Sequence, residues 1–509
     1  MEQRQAVLLP RYAEDMPTRE LCGWTYRGTE FADAVTKLFV MERFRAHGRP
    51  QGLDLVAVVR HARRARRLHL FRDITLSLCL IVMAAGVVGM VAALIVRDMA
   101  RLTDCLRLAL YALLPAAVLA YVWNWVLSRF QQAVHWGDAR PRDGAGPVDA
   151  VLESDLEALE AANVALYRSK GRGGEEPFVD SGVLVLQRTW PSIDISRPAP
   201  GDGADRPDVT ELKPAELHAY MAEHLPQAAG LDGLRACNRL YVQGDRVRDI
   251  DGGALFGKGR RRPLVNIDTT LVDEGITAAS MAMRTYLTLE LVGSGGSYVV
   301  TMHVRARVSK SQLSWQLAAS YVPPVNAAFG GRPMGWAETA WRALGLTRTR
   351  FRADLFGSPG RVLGRPARHL ANGFRLLWRS HRVRRPHGYF DYGASGTLRA
   401  AVSDPDRSHD LTQRMDAQLA LQRMQEALLT LTERFLKEHG IDTSGLRDTR
   451  GTITLQTYNF SGPIHGQNIF GDGGTNILTG MGSSAGDPGQ AAQGTPPVPS
   501  GSAAGPAGT

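Results

Sequence analysis

The sequence predicts an α+β domain with an antiparallel β-meander, attached to a two-helix transmembrane hairpin. Three observations predict it. Two runs of membrane length, 74–96 and 108–127, carry no charge; three apolar runs of period two follow one another between residues 284 and 321; and helical periodicity flanks those runs on both sides.

A chain of 509 residues has room for two or three compact units. The composition divides it into an N-terminal helical arm with a basic flank (1–73), the hairpin (74–128), an α+β region (129–450), a Gly/Asn-rich β-like segment (451–480) and a disordered tail (481–509). Lys and Arg number 60 against 50 Asp and Glu, and only six of the bases are lysine, which points to a GC-rich bacterial genome. The four cysteines, Cys22, Cys79, Cys105 and Cys237, form no Cys-x-x-Cys pair, which argues against a zinc site or a disulfide framework and fits a reduced cytosolic setting. The polar opening through Met16 lacks the apolar run and cleavage site of a removable signal peptide.

In the N-terminal arm, Thr29 is placed to cap a helix with Phe31, Val35, Leu38 and Phe39 on one side, ended by His47-Gly-Arg-Pro50. A second helical run starts at Leu53 and passes through Arg60, Arg63, Arg64, Arg66, Arg67 and Arg72 into the first apolar run. These arginines read as a topogenic flank drawn to anionic lipid headgroups by about 1 kcal/mol each near the surface, and nothing points to nucleic acid.

Ile74–Val96 is long enough, at about 1.5 Å per residue, to cross a hydrocarbon core of about 30 Å. Leu108–Leu127 is interrupted only by Pro115 and Asn124 and places Tyr111, Tyr121, Trp123 and Trp125 towards its ends, as the headgroup belt favours. The stretch Arg97–Arg107 reads as a tight loop, so both termini share one side. Excess arginine before the first run puts that side in the cytoplasm of a multi-pass cell-membrane protein. Ala85, Gly89 and Ala93 form a small-residue stripe for helix packing, within the hairpin or between copies.

Beyond the hairpin, Val148–Lys170 reads as a helix whose Glu153, Asp155, Glu157 and Glu160 make a solvated acidic face. An extended stretch (Gly182–Ile195), a Gly/Asp/Pro loop (Pro198–Asp208), a short helix near Leu212–His224 and a hairpin turning at Gly244-Asp245 follow. The meander is then Arg284–Val292, Tyr298–Val304 and Leu313–Tyr321, with His303 at an outward-facing polar position. Arg342–Arg385 holds twelve arginines and one acid, Asp354. Within it Leu370, Phe374, Leu377 and Trp378 share a helical face opposite Arg368, Arg375, Arg379 and Arg382, the profile of a helix lying on a membrane surface or of one with a core-facing side. Asp410–His439 is a long amphipathic helix stopped by Gly440.

Catalytic motifs are missing. Gly252–Gly259 matches a phosphate-binding loop through Lys258, but Gly259 stands where the magnesium-binding hydroxyl belongs, so it reads as a glycine-rich loop. No nucleophile elbow, zinc-binding helix or metal cluster appears, and Asp249, Asp251, Asp268, Asp273 and Glu274 read as solvated loop acids. No catalytic, cofactor-binding or metal-ligating residue is expected. The segment Thr452–Gly480 alternates apolar steps with Gly and Asn, which suits either a small β-coil stacking on copies or a partner, or a flexible tail.

The stretches Leu53–His61, Arg284–Glu290, Tyr298–Arg305 and Phe435–Ser444 resemble a group of actinobacterial membrane proteins with two transmembrane helices and no assigned activity. Asn459–Asn476 is similar to Gly/Asn-rich terminal segments of some bacterial signalling or defence proteins. A firm anchor beside absent chemistry leads to the expectation of a membrane-anchored cytoplasmic scaffold or sensor that meets anionic headgroups and a protein partner or itself. The alternative is an oligomeric channel or membrane-perturbing effector formed by the hairpin.

Overall fold

Asp54 and Asp98 start the two longest helices of the N-terminal half. Their carboxylates accept the backbone N–H three residues on, from Ala57 at 3.0 Å and from Arg101 at 3.1 Å. The helices are α3 (Leu55–Val96) and α4 (Met99–Trp136). Only Arg97, in the left-handed conformation at φ 58°, and Asp98 join them. The expected loop of 97–107 is therefore a two-residue turn. Arg101 and Arg107 already stand on α4, each paired with the acid three residues before it, Asp98 at 3.2 Å and Asp104 at 3.5 Å. Both helices are long and apolar enough to cross a membrane. With 42 and 38 residues they extend for about 60 Å, roughly twice the hydrocarbon core, so each has a membrane-length half and a stem.

This computed structural model describes residues 15–465 except 169–176, 179–180, 200–211, 251–254, 257–261, 281, 385–389, 395, 405–409, 447–457, 459 and 461–463. The tail 481–509, most of 451–480 and the loop 200–208 lie outside the described residues.

The stems are buried in a core that draws on both arms. α1 (Met16–Trp24) and α2 (Thr29–Thr36), the latter continued by a π-helical turn Lys37–Met41, set Leu21, Trp24, Phe31, Val35 and Phe39 against Val56, Val59, Ala62 and Ala65 of α3 and Leu127 and Val134 of α4. Val325, Phe329, Leu398 and Val402 from the C-terminal half complete it. α2 begins at Thr29 as expected, although Gly28 holds the capping position and no side chain caps it.

The acidic segment after the hairpin is shorter than the sequence suggests. α5 ends within Ala150–Ala158, and Val164–Tyr167 is strand β1. Past the helix end, the Asn163 side chain donates to Ile267 O at 2.8 Å and accepts from Ile267 N at 2.9 Å, which holds extended backbone just before β1. The remaining strands are β2 (Gly182–Thr189), β3 (Ile193–Asp194), β4 (Arg235–Gln243), β5 (Met283–Gly293), β6 (Tyr298–Ser309), β7 (Gln312–Val322) and β8 (Ile464–His465). Their order is β1-β4-β5-β6-β7-β2-β8, with β3 on β7.

β4 to β7 are antiparallel neighbours, so the meander is present, but β1 runs parallel to β4 and makes the sheet mixed. A parallel pair needs a crossover connection, and the long excursion through β2, β3 and α6 (Pro214–Ala228) supplies it. The expected hairpin at Gly244 does not form. Gly244 instead donates to Tyr167 O at 2.8 Å and accepts from Tyr392 N at 2.9 Å, and a Cβ there would meet Asp391 Oδ1 at 2.1 Å. β4 finds its antiparallel partner forty residues on, in β5.

Leu287, Leu289, Val300, Met302, Val304, Trp315 and Tyr321 alternate onto one face of the sheet and pack under α6 and α10 (Leu411–Glu438). Gly440 ends α10 at φ 72°, as its position predicts. Two residues of the C-terminal segment join that core. Tyr458 donates to Gln425 Oε1 at 3.0 Å, and Phe460 lies edge-on to Tyr321 at 5.2 Å. The remaining helices are α7 (Thr269–Thr277), α8 (Trp336–Arg384) and α9 (Leu398–Val402).

Candidate functional site

The membrane-length halves of α3 and α4 meet along a seam of small residues. A Cβ on Gly86 would come within 3.0 Å of the Ala109 backbone nitrogen, and one on Gly89 within 2.7 Å of Cys105 Sγ. Ala93 is buried while Ala85 is exposed. Of the stripe Ala85, Gly89 and Ala93, the last two therefore lie in the hairpin's own seam. Gly86, one residue on from Ala85, takes the place the stripe assigned to alanine.

The arginines of the first stem reach protein groups. Arg60 forks onto Glu153 at 2.9 and 2.7 Å and donates to Arg142 O at 3.0 Å. The Arg60–Glu153 hydrogen bond is the chief reason the Arg60 pKa is raised and the Glu153 pKa lowered. Arg63 donates to Val148 O at 2.6 Å; Arg64 donates to Gly144 O and lies 4.3 Å over the Phe130 ring; Arg66 pairs with Asp33 at 3.0 Å. Arg67 is exposed. Glu153 and Glu157, read as a solvated face, are accordingly ion-paired, the latter with Arg142 at 2.8 Å.

α8 crosses the hairpin where stems become membrane-length helices. Thr347 accepts from Asn124 at 3.0 Å, Leu355 packs with Leu76, Ala116 and Ala120, and the Ser358 and Ser77 hydroxyls meet at 3.1 Å. Beside them Asp73, fully buried, faces three guanidinium groups: Arg72 at 3.2 Å, Arg361 at 3.2 Å and Arg365 at 3.0 Å. Asp354 lies 3.6 Å from both Arg72 and Arg361. The one acid of the basic stretch thus helps clamp α8 to the hairpin. The opposite face of α8 leaves Phe356, Leu363, Phe374 and Trp378 exposed. The side chains of Arg368, Arg375 and Arg379 lie outside the described residues.

Next to the first stem lies a cavity of about 760 Å³, in the range that holds small ligands. Phe39, Val40 and Leu152 give it apolar wall; Arg43, Arg63 and His47 give it polar wall. His47 is 8 % exposed, its Nε2 has no hydrogen-bond partner among the described residues, and burial followed by the nearby Arg262 holds its pKa well below the usual histidine value. The cavity therefore presents a neutral imidazole edge beside fixed cations. Nothing in the sequence marked it, because its walls come from α2 and the segment 37–47 after it, α3, α5, the stretch near Pro263 and α8.

His303 does not face outward. It is fully buried on the polar face of the sheet, with Nε2 3.0 Å from Ser181 Oγ and Nδ1 3.2 Å from both Tyr241 OH and Thr288 Oγ1, and it stacks on Phe178 at 4.2 Å. Alternation places it correctly off the apolar face; the second face is polar and covered, which a period-two pattern cannot distinguish from polar and wet. Burial lowers its pKa well below the ordinary value, with Arg49 and Arg239 adding to the effect. Among the described residues no group of three or more His, Cys, Asp or Glu could hold a metal ion. The loop 252–259 lies outside the described residues apart from Leu255 and Phe256.

Residues 189–476 match the AbeC-like domain, more than half of the 509 residues, and the chain belongs to that family. The match starts at the end of β2 and leaves α1 to α5 outside. No curated protein and no solved structure matches the chain.

Proposed function

We propose that this AbeC-like protein is a membrane-anchored scaffold or sensor, crossing the bilayer twice with both termini in the cytoplasm, whose α+β domain engages a protein partner. The observation that carries the reading is continuity. α3 and α4 each pass without a break from membrane-length apolar surface into a stem buried in the domain core, so a tilt of the hairpin must be felt where Val56, Val59, Leu127 and Val134 meet Val325 and Leu398. α8, clamped by Asp73 and Asp354, ties the same junction to the domain that follows β7. Leu411, Met415 and Leu419 form an exposed apolar stripe at the start of α10, the i, i+4, i+8 spacing that one helix offers another.

Two experiments test this reading. A reporter active only outside the cytoplasm should be silent when fused after Phe130 and active when inserted between Arg97 and Asp98; the reverse pattern would overturn the orientation. Affinity capture of the full chain from native membranes should lose partners when Leu411, Met415 and Leu419 are changed to serine. Identical captures would remove the partner from this surface. For the channel alternative, ion leakage through liposomes carrying the purified protein is the deciding measurement, and leakage with ordered oligomers would sink the scaffold reading.

A further inference from the structure

Between the end of α1, the two stems and α8 lies a niche of about 150 Å³. Its wall carries four guanidinium groups, Arg27, Arg72, Arg342 and Arg350, and one carboxylate, Asp354. That carboxylate is already shared between Arg72 and Arg361 at 3.6 Å each. Among the described residues, no acid stands within ion-pair distance of Arg27, Arg342 or Arg350. Arg27 stacks on Trp24 at 4.3 Å and donates to Ala328 O at 3.3 Å; Arg342 reaches only the thioether of Met334 at 4.0 Å, a weak acceptor. A guanidinium carries five N–H donors, so among the described residues most donors of Arg27, Arg342 and Arg350 find no protein acceptor, and Arg27 and Arg350 are open to solvent. The three cations also oppose one another. Arg27 is held below its ordinary pKa first by burial and then by Arg342 and Arg350.

The height of the niche decides what fills it. Its α4 wall is Asn124, Leu127, Ser128 and Gln131, the residues at which the apolar run gives way to the stem. Beside it Trp123 donates to Thr75 at 3.0 Å, and Trp341, next to Arg342, is 72 % exposed. An amphipathic ring left bare at that level suits the headgroup region. Arg342 also lines a neighbouring open cleft with Arg332 and Trp341, so the niche has an outlet along α8.

We infer that this niche binds the phosphate group of an anionic phospholipid of the cytoplasmic leaflet, with Arg27, Arg342 and Arg350 as its charge-assisted donors. The inference rests on the membrane reading proposed above and adds a defined lipid site to it. Arginine is suited to the task because its planar fork meets phosphate oxygens two at a time.

The test uses the full chain in phosphatidylcholine nanodiscs containing a minority of phosphatidylglycerol, with retained lipid counted by native mass spectrometry. Arg342→Gln with Arg350→Gln should weaken retention of phosphatidylglycerol about tenfold or more, while Arg348→Gln with Arg352→Gln, which removes equal charge from positions of the same helix that do not line the niche, should leave it unchanged. Neither pair makes an ion pair within the described residues, so unchanged thermal unfolding in detergent checks the fold. Equal loss in both variants would overturn the niche in favour of diffuse surface charge. Displacement of the retained lipid by inorganic phosphate at comparable concentration would overturn the lipid in favour of a soluble anion. Release of the protein from membranes by alkaline carbonate would overturn the anchor together with this site, whereas an inserted protein with equal loss overturns the site alone.

Discussion

Asp73 shows how one carboxylate can hold three cationic side chains at the junction of the hairpin and α8, by pairing guanidinium groups from α3 and α8. It is fully buried, and three guanidinium groups converge on it from two helices. Asp73→Asn keeps the shape and removes the charge, leaving those cations to face one another in a dry site; breaking such a buried pair costs about 3–5 kcal/mol. The prediction is a marked fall in thermal stability in detergent and easier proteolysis between β7 and α9. An unchanged melting profile would mean that water already screens the cluster. His61 offers a second residue-scale prediction. Its Nε2 donates to Pro141 O at 2.7 Å and its Nδ1 lies 2.8 Å from Tyr26 OH, whose proton the neutral ring accepts. Burial lowers its pKa to about 4, the Pro141 bond opposing and Arg64 reinforcing the shift. Because the unfolded ring titrates near 6.5, the unfolded chain takes up the proton first on acidification. The stability that neutral His61 supplies is therefore complete above about pH 6.5 and is lost as the pH falls towards 4. At pH 5.5 the loss is about 1 kcal/mol. The measurement is unfolding at pH 7.5 and 5.5, and His61→Gln should show the smaller difference.

At the scale of elements, α8 joins two properties that periodicity sets against each other. One face packs on the hairpin through Thr347, Leu355 and Ser358, and the opposite face leaves Phe356, Leu363 and Phe374 bare. A helix at that depth with an apolar outer line is predicted to lie against lipid. With a nitroxide on Leu363→Cys in a background free of other cysteines, the label should be more accessible to oxygen than to a water-soluble nickel chelate. The opposite ranking would place that face in water. The sequence singled out the second half of this helix, where Leu370, Phe374, Leu377 and Trp378 share a face, and not its first. Thr347, Leu355, Ser358, Arg361 and Arg365 hold that first half to α3 and α4. The apolar runs, the three meander strands and α10 were legible because each repeats one period over many residues. β1 and the partner of β4 were not, since a four-residue strand and a pairing across forty residues leave no local period. The niche and the cavity share that difficulty, their walls being assembled from stretches hundreds of residues apart.

For the whole molecule, the hairpin does not separate two independent arms. Leu21, Trp24, Phe31 and Phe39 from before the hairpin share one core with Val325, Phe329, Leu398 and Val402 from well beyond it. Burying each such large side chain is worth about 1.5–3 kcal/mol, so the four from the first arm supply about 6–12 kcal/mol of transfer free energy. That is comparable with the net stability of a typical domain, about 5–15 kcal/mol. The first arm is therefore structural for the second, although α1 and α2 lie outside the region matched to the AbeC-like domain. A chain beginning at Leu53 is predicted to reach the membrane, since both apolar helices remain, but to lose its cooperative unfolding transition and expose Val325 and Leu398 to protease and hydrophobic dye. Supplying residues 1–52 as a separate polypeptide in the same cell should restore protection, because the packing, hydrogen bonds and ion pairs they make need no covalent link. Full protection in the shortened chain alone would show that the C-terminal domain carries its own core, and the mechanical continuity proposed between membrane and domain would then have to run through α8.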